Sequence, residues 1–228
     1  MSAVSVTIIP AEGLFDSNSY LVAGEGGFVL IDTSVPGRRR ALVASLEAEG
    51  CRPGGLRLIV ITHVHSDHVG NAAYLRERYG APIALHEGDA GKAERGDMFW
   101  RPEGLIGAMK VARAVSGLAG IARFDAFTPD VRLRDGQSLA EWGLGAAVHH
   151  LPGHSSGSIC VLADDGALFC GDLLTNTRGG PARNSIIDVQ RDYDASVARL
   201  AELPIVTAYP GHGQPFSREQ LMRVLNER

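Results

Sequence analysis

The sequence predicts an α/β fold. Short apolar runs rich in β-branched residues recur between glycine-containing turns, and amphipathic stretches ending in glycine alternate with them. Metal-ligating residue types also collect where the strands end, which is where α/β proteins place their chemistry. With 228 residues and 45% apolar content, the chain can bury a sizeable core, and we expect one domain over 1–228.

Val4 to Ile9, Asn18 to Ala23 and Gly27 to Asp32 read as three short strands. Pro36 to Glu49 reads as a helix, with Leu42, Val43 and Leu46 on one face and Gly50 at its end. Leu56 to Ile61 is a buried strand leading into Thr62 to Gly70, and Asn71 to Tyr79 is a helix closed by Gly80. After a strand at Pro82 to His86, a helical insert is expected over about 88–124. In it Leu105, Ile106, Met109, Ala112, Val115 and Leu118 recur at helical spacing. After Pro129, Val131 to Leu133, Leu144 to Leu151, Ser158 to Leu162 and Ala167 to Cys170 read as a second sheet. A helix near Asp194 to Leu203, a strand Ile205 to Ala208 and a last helix opened by the capping box Ser217-Arg218-Glu219-Gln220 complete the chain.

Composition excludes several functions. A net charge of -4 supplies no basic surface, which argues against nucleic-acid partners, and Arg38-Arg39-Arg40 reads as a solvated helix face. Cys51, Cys160 and Cys170 show no CxxC spacing, so a reducing, cytoplasmic location is expected. Neither an export signal nor a membrane-spanning apolar run is visible.

The chemistry centres on Thr62-His63-Val64-His65-Ser66-Asp67-His68-Val69-Gly70, with four ligand-type side chains in six positions. His63 and His65 are two apart, so both rings leave an extended segment on one side, as capture of one ion requires. Asp67 and His68 lie past the bend and can aim at a second ion or at a water on the first. The competing reading is a helix-capping loop with Asp67 as N-cap. Three later stretches repeat one design, a strand end followed by a glycine turn presenting a ligand: Pro152-Gly153-His154, Gly171-Asp172 and Pro210-Gly211-His212.

With these motifs the sequence resembles the metallo-β-lactamase-fold superfamily of metallohydrolases over nearly its whole length. The resemblance implies a four-layer αββα sandwich with a helical insert and two divalent ions, most simply Zn with Fe or Mn as alternatives. It implies His63, His65 and His154 on one ion, Asp67, His68 and His212 on the other, Asp172 bridging them, and Asp32 supporting the ligand loop from behind. The ions would share a water, lower its pKa and polarise a substrate oxygen, while Asp67 orients that water and carries a proton to the leaving group. Five histidines must be neutral to bind, so occupancy should fall in acid.

A bridging Asp172 is similar to the glyoxalase II, lactonase and phosphodiesterase branches rather than to true β-lactamases. The chain ends one helix after His212, which argues against a glutathione-holding domain, and Leu173-Leu174-Thr175-Asn176 lacks the tyrosine of the acyl-homoserine-lactonase branch. The expected function is therefore hydrolysis of an ester, thioester or lactone carbonyl. Phosphodiester or β-lactam hydrolysis and a non-catalytic metal-containing sensor are the alternatives. Trp100 and Met109, in an insert read as a helical lid, and Asn176 and Arg178, after Asp172, are the substrate-binding candidates. His86, His149 and His150 read as structural. The expected partner is a small-molecule substrate, with no nucleic acid, no membrane and a homodimer left open.

Overall fold

The computed structural model describes residues 4–13, 16–101, 111, 114–115 and 123–226. The first sheet has six strands in sequence order: β1 (Ser5–Ile9), β2 (Ser19–Gly24), β3 (Gly27–Ile31), β4 (Leu56–Val60), β5 (Ile83–His86) and β6 (Val131–Leu133). Pairing is antiparallel from β1 to β3 and parallel from β3 to β6. The parallel steps use α1 (Arg39–Ala48), the short α2 (Ser66–Val69) with α3 (Ala72–Tyr79), and α4 (Glu87–Arg95) as crossovers. The second sheet contains β7 (Ala146–His150), β8 (Ile159–Ala163), β9 (Ala167–Gly171), β12 (Thr207–Pro210) and β13 (Phe216–Ser217), in the order β13-β12-β9-β8-β7. Between β9 and β12 come a two-stranded ribbon, β10 (Leu174–Thr177) with β11 (Gly180–Arg183), and α5 (Gln190–Arg199); α6 (Arg218–Asn226) ends the described chain.

Three apolar cores follow from the alternation of side chains along these strands. Leu30, Ile59, Ile83 and Leu85 point outward and pack on Leu42, Leu46, Leu75, Tyr79 and Ala93 of the helices. Their chain neighbours Val29, Ile31, Leu58, Val60 and Ala84 point inward and meet Val148, Ile159, Val161 and Phe169 of the second sheet. The opposite face of that sheet, with Cys160, Leu162, Leu168 and Cys170, packs on Tyr193, Val197, Leu221 and Val224 of α5 and α6. Helices, sheet, sheet and helices are thus stacked as the αββα sandwich.

Several boundaries differ from the sequence reading, each for a tertiary reason. Val131 to Leu133 belongs to the first sheet, not the second, because β6 pairs in parallel with β5 and places Leu133 in the inter-sheet core. The expected strand at Ile205 begins two residues later: Ile205 is buried against the outer helices, while Thr207 to Pro210 takes its register from β9. Helix α5 starts four residues before Asp194, so that Tyr193 lies buried in its first turn. The stretch after Asp172, for which the sequence reading assigned no strand, is the β10–β11 ribbon, which turns at Arg178-Gly179. The last capping box forms as read, with Ser217 N–H donating to Gln220 Oε1 (3.0 Å) and Gln220 N–H to Ser217 Oγ (3.3 Å). No helix among the described residues is long and apolar enough to cross a membrane.

Candidate metal centre

Every sequence-predicted ligand leaves the carboxyl end of a strand, so the loops after β4, β7, β9 and β12 converge on one edge of the sandwich. A backbone bond from Ile159 N–H to Thr62 C=O (2.9 Å) joins the two sheets there. Two groups of ligand atoms result, His63, His65, His154 and Asp172 in one and Asp67, His68 and His212 in the other, the atoms of each lying within 4.8 Å of one another.

In the first group His63 Nε2, His65 Nδ1 and His154 Nε2 form a triangle with edges of 3.0, 3.0 and 3.1 Å. In the second, Asp67 Oδ2 lies 3.4 Å from His68 Nε2 and 3.3 Å from His212 Nε2. Asp172 reaches both groups: Oδ1 is 3.3 Å from His68 Nε2, and Oδ2 is 3.3 Å from His212 Nε2 and 3.7 Å from His154 Nε2. Two ligands on one tetrahedral ion at about 2.0–2.1 Å lie roughly 3.3 Å apart, so these spacings fit. His68 Nε2 and Asp172 Oδ1 are buried with no hydrogen-bond partner among the described residues, and an ion between them would satisfy both.

Three of the imidazoles are aimed by their other nitrogen. His154 Nδ1 faces the Ile186 carbonyl at 2.6 Å, His63 Nδ1 faces Thr62 Oγ1 at 3.2 Å, and His68 Nδ1 faces Asp32 Oδ2 at 2.8 Å. Asp32 is also held by the Thr62 N–H and O–H, both at 2.8 Å. It takes the left-handed conformation (φ 57°), a cost of about 1–3 kcal/mol that this network offsets. Asp67 does not cap α2: the N-cap is His65, and Asp67 lies in the first turn with its carboxylate in the second ligand group.

The electrostatics divide the cluster. Burial, then the neighbouring histidines, holds His63 well below its ordinary value; burial, His154 and Lys92 lower His65 to about 3. Burial also opposes charge on His68 and His212, but it is outweighed. Asp67, Asp172 and Asp32 push His68 well up, and hydrogen bonds to Asp172 and Asp67 bring His212 to about 10. Burial would raise Asp67 and Asp172, yet His68 and His212 keep both below the usual carboxylate range.

Asn176 has its side-chain amide on the Gln214 carbonyl (2.8 Å) and its backbone N–H on the His212 carbonyl (2.9 Å), so it holds the His212 loop. Arg178 is exposed at the tip of the ribbon. Trp100 packs on Gly91 of α4 and lies under Arg95, whose guanidinium carbon is 4.0 Å from the ring centre. Met109, with Leu105, Ile106, Ala112 and Leu118 of the same stripe, lies outside the described residues. Val115, also read as part of the stripe, is 61% exposed. His86 accepts a hydrogen bond from Gly88 N–H (3.1 Å) and stacks on His150 at 3.7 Å. Sequence reading missed Asn18, whose amide donates to the Pro210 (3.0 Å) and Gly213 (2.8 Å) carbonyls and clamps the His212 loop. Its only signal was a polar residue at the start of a buried strand.

Gly211 closes the site from below, since a Cβ there would strike Asp172 Oδ1 and lie 2.6 Å from His68 Cε1. Gly211→Ala should lower metal affinity about tenfold or more through overpacking, with an unchanged far-ultraviolet circular dichroism spectrum. Full metal content at limiting metal would contradict this.

A four-layer sandwich presenting clustered imidazoles and carboxylates at its strand ends defines a metalloprotein. More particularly, the metallo-beta-lactamase superfamily model matches residues 13–212, and the chain belongs to that superfamily. It is 33% identical to the acyl-coenzyme A thioesterase MBLAC2 of Bos taurus over 91% of this chain and 77% of that one. It is 29% identical to the hydroxyacylglutathione hydrolase of Anaeromyxobacter dehalogenans over 86% of this chain and 61% of that protein. Among solved structures, that of TTHA1623 in a di-iron-bound form matches with a TM-score of 0.72 and 30% identity, covering 95% of this chain and 97% of that one. The chain is a metal-dependent hydrolase.

Proposed function

We propose that the protein hydrolyses an acyl thioester with two divalent ions, zinc or iron, held by the seven clustered ligands. Esters and lactones are the neighbouring substrate classes. The observation that carries the binuclear reading is Asp172, whose two oxygens lie within 3.7 Å of nitrogens from both ligand groups. Bound there, divalent ions would supply Lewis-acid polarisation of the carbonyl and an activated water. His63, His65 and His154 would hold one ion, Asp67, His68 and His212 the other.

The side chains themselves favour a thioester. Asp67 is 19% exposed, against 7% for Asp172, and is the carboxylate best placed to take a proton from water. Held below the usual carboxylate range, it is ionised near neutral pH, free to take a proton but without one of its own to give a leaving group. A thiolate, whose conjugate thiol has a pKa of about 8.5, departs without prior protonation, whereas an alkoxide or amine needs the proton as it leaves. Relatives named for acyl groups on coenzyme A and on glutathione support the same choice.

Turnover of thioesters, lactones, phosphodiesters and cephalosporins, measured alongside metal content, tests the proposal. Thioesters should give the highest kcat/KM with close to two ions per chain. Preference for a phosphodiester or cephalosporin would move the assignment to that chemistry, and metal without turnover of any substrate would make the protein a sensor.

A further inference from the structure

Helix α4, read from sequence as the start of a lid, carries a buried ion pair directly behind the first ligand group. Asp89 is 1% exposed and Lys92 4%, and Lys92 Nζ lies 2.9 Å from Asp89 Oδ1. The other oxygen, Oδ2, accepts from Val64 N–H at 3.0 Å and from Ser155 Oγ–H at 2.7 Å. Val64 sits between His63 and His65, and Ser155 follows His154. Those two loops leave different sheets, and their three histidines form the 3.0 Å triangle. Ser156 Oγ adds a longer contact to Oδ1 (3.4 Å), and a Cβ on Gly157 would lie 2.6 Å from the Asp89 backbone nitrogen. The carboxylate therefore sits flush against the His154 turn with both oxygens engaged.

We propose that Asp89 is a positioning residue that sets the spacing of His63 and His65 against His154 by binding both loops through one oxygen. Lys92 neutralises the carboxylate, which a fully buried anion requires. Asp32 does the corresponding task for Thr62 and His68, but all its partners lie on loops of the first sheet. Asp89 is a carboxylate outside the ligand set that ties one sheet's ligand loop to the other's. This inference rests on the metal-binding reading given above, and it concerns geometry at the three-histidine group alone.

The test measures zinc affinity of each equivalent in the full-length protein by competition with a chromophoric chelator, together with the visible spectrum of the cobalt(II)-loaded protein. Asp89→Asn should weaken the three-histidine site about 10- to 100-fold and alter its cobalt spectrum, leaving the other site within about twofold. Ser155→Ala, which removes one of the two bonds and keeps the ion pair, should cost about fivefold at the same site. Asp32→Asn should instead weaken the His68 site. If Asp89→Asn does not fold, Ser155→Ala decides. Lower melting temperatures with zinc affinity and cobalt spectrum unchanged in the folded variants would overturn the proposal. Wild-type protein that takes up no metal would overturn the metal reading as well, whereas two ions in wild type with unaffected variants would overturn this one alone.

Discussion

Asp172→Ala should lose both ions and lower activity by at least about a thousandfold, well beyond the roughly 10- to 100-fold expected for an outer partner. The reason is geometric: among the described residues Asp172 is the one side chain whose oxygens face nitrogens of both ligand groups, and its Oδ1 has no alternative partner there. Without it His68 and His212 lose a counter-charge as well as a co-ligand. Metal analysis and kinetics on the same preparation check the result. Retention of one ion with near-normal turnover would refute the bridging assignment.

The two ions should enter in order, and the order should depend on pH. In the metal-free protein His63 and His65 are neutral near pH 7, because burial and like neighbours depress them, whereas His68 and His212 are held as imidazolium by Asp67 and Asp172. An ion reaching the first group displaces no proton from His63 or His65, but one reaching the second must displace a proton from each of two rings. Affinity for the second equivalent should therefore rise about a hundredfold per pH unit around neutrality, while the first changes much less. Calorimetric titration in buffers of different ionisation heat measures the protons released at each step. Equal release at both steps would refute the division. The stability linkage has a definite sign: a raised histidine stabilises the metal-free fold below its unfolded value of about 6.5, and for His212 that contribution is lost as pH rises through about 10.

The ligand cluster was legible in sequence because four imidazoles and carboxylates within six positions, followed by three more beside glycines at strand ends, leave few other readings. The capping box at Ser217 was legible for the same reason, since its partners are three residues apart. Asp89 and Asn18 were not. Their partners lie 25 and 66 positions away for Asp89 and 192 and 195 for Asn18, and nothing local distinguishes a buried carboxylate from a helix-start Asp. Strand β6 was assigned to the wrong sheet because three residues of alternating character suit either sheet, and only pairing with β5 decides. Trp100 does line a cavity, with Gly91, Arg95 and Arg101, but its seat against Gly91, nine residues earlier, could not be read from its apolar character alone.

The ligands are divided between the two sheets, with His63, His65, Asp67 and His68 contributed by loops of the first and His154, Asp172 and His212 by loops of the second. On the ribosome these groups emerge in succession. At about 5–20 residues per second, roughly 7 to 30 s separate the synthesis of His63 from that of His212. During that interval the early histidines form an incomplete chelate, open to whatever ion the surroundings offer. The full set of seven ligands therefore exists only once the last of the second sheet's loops has been made, so selectivity that depends on the complete set cannot act before then.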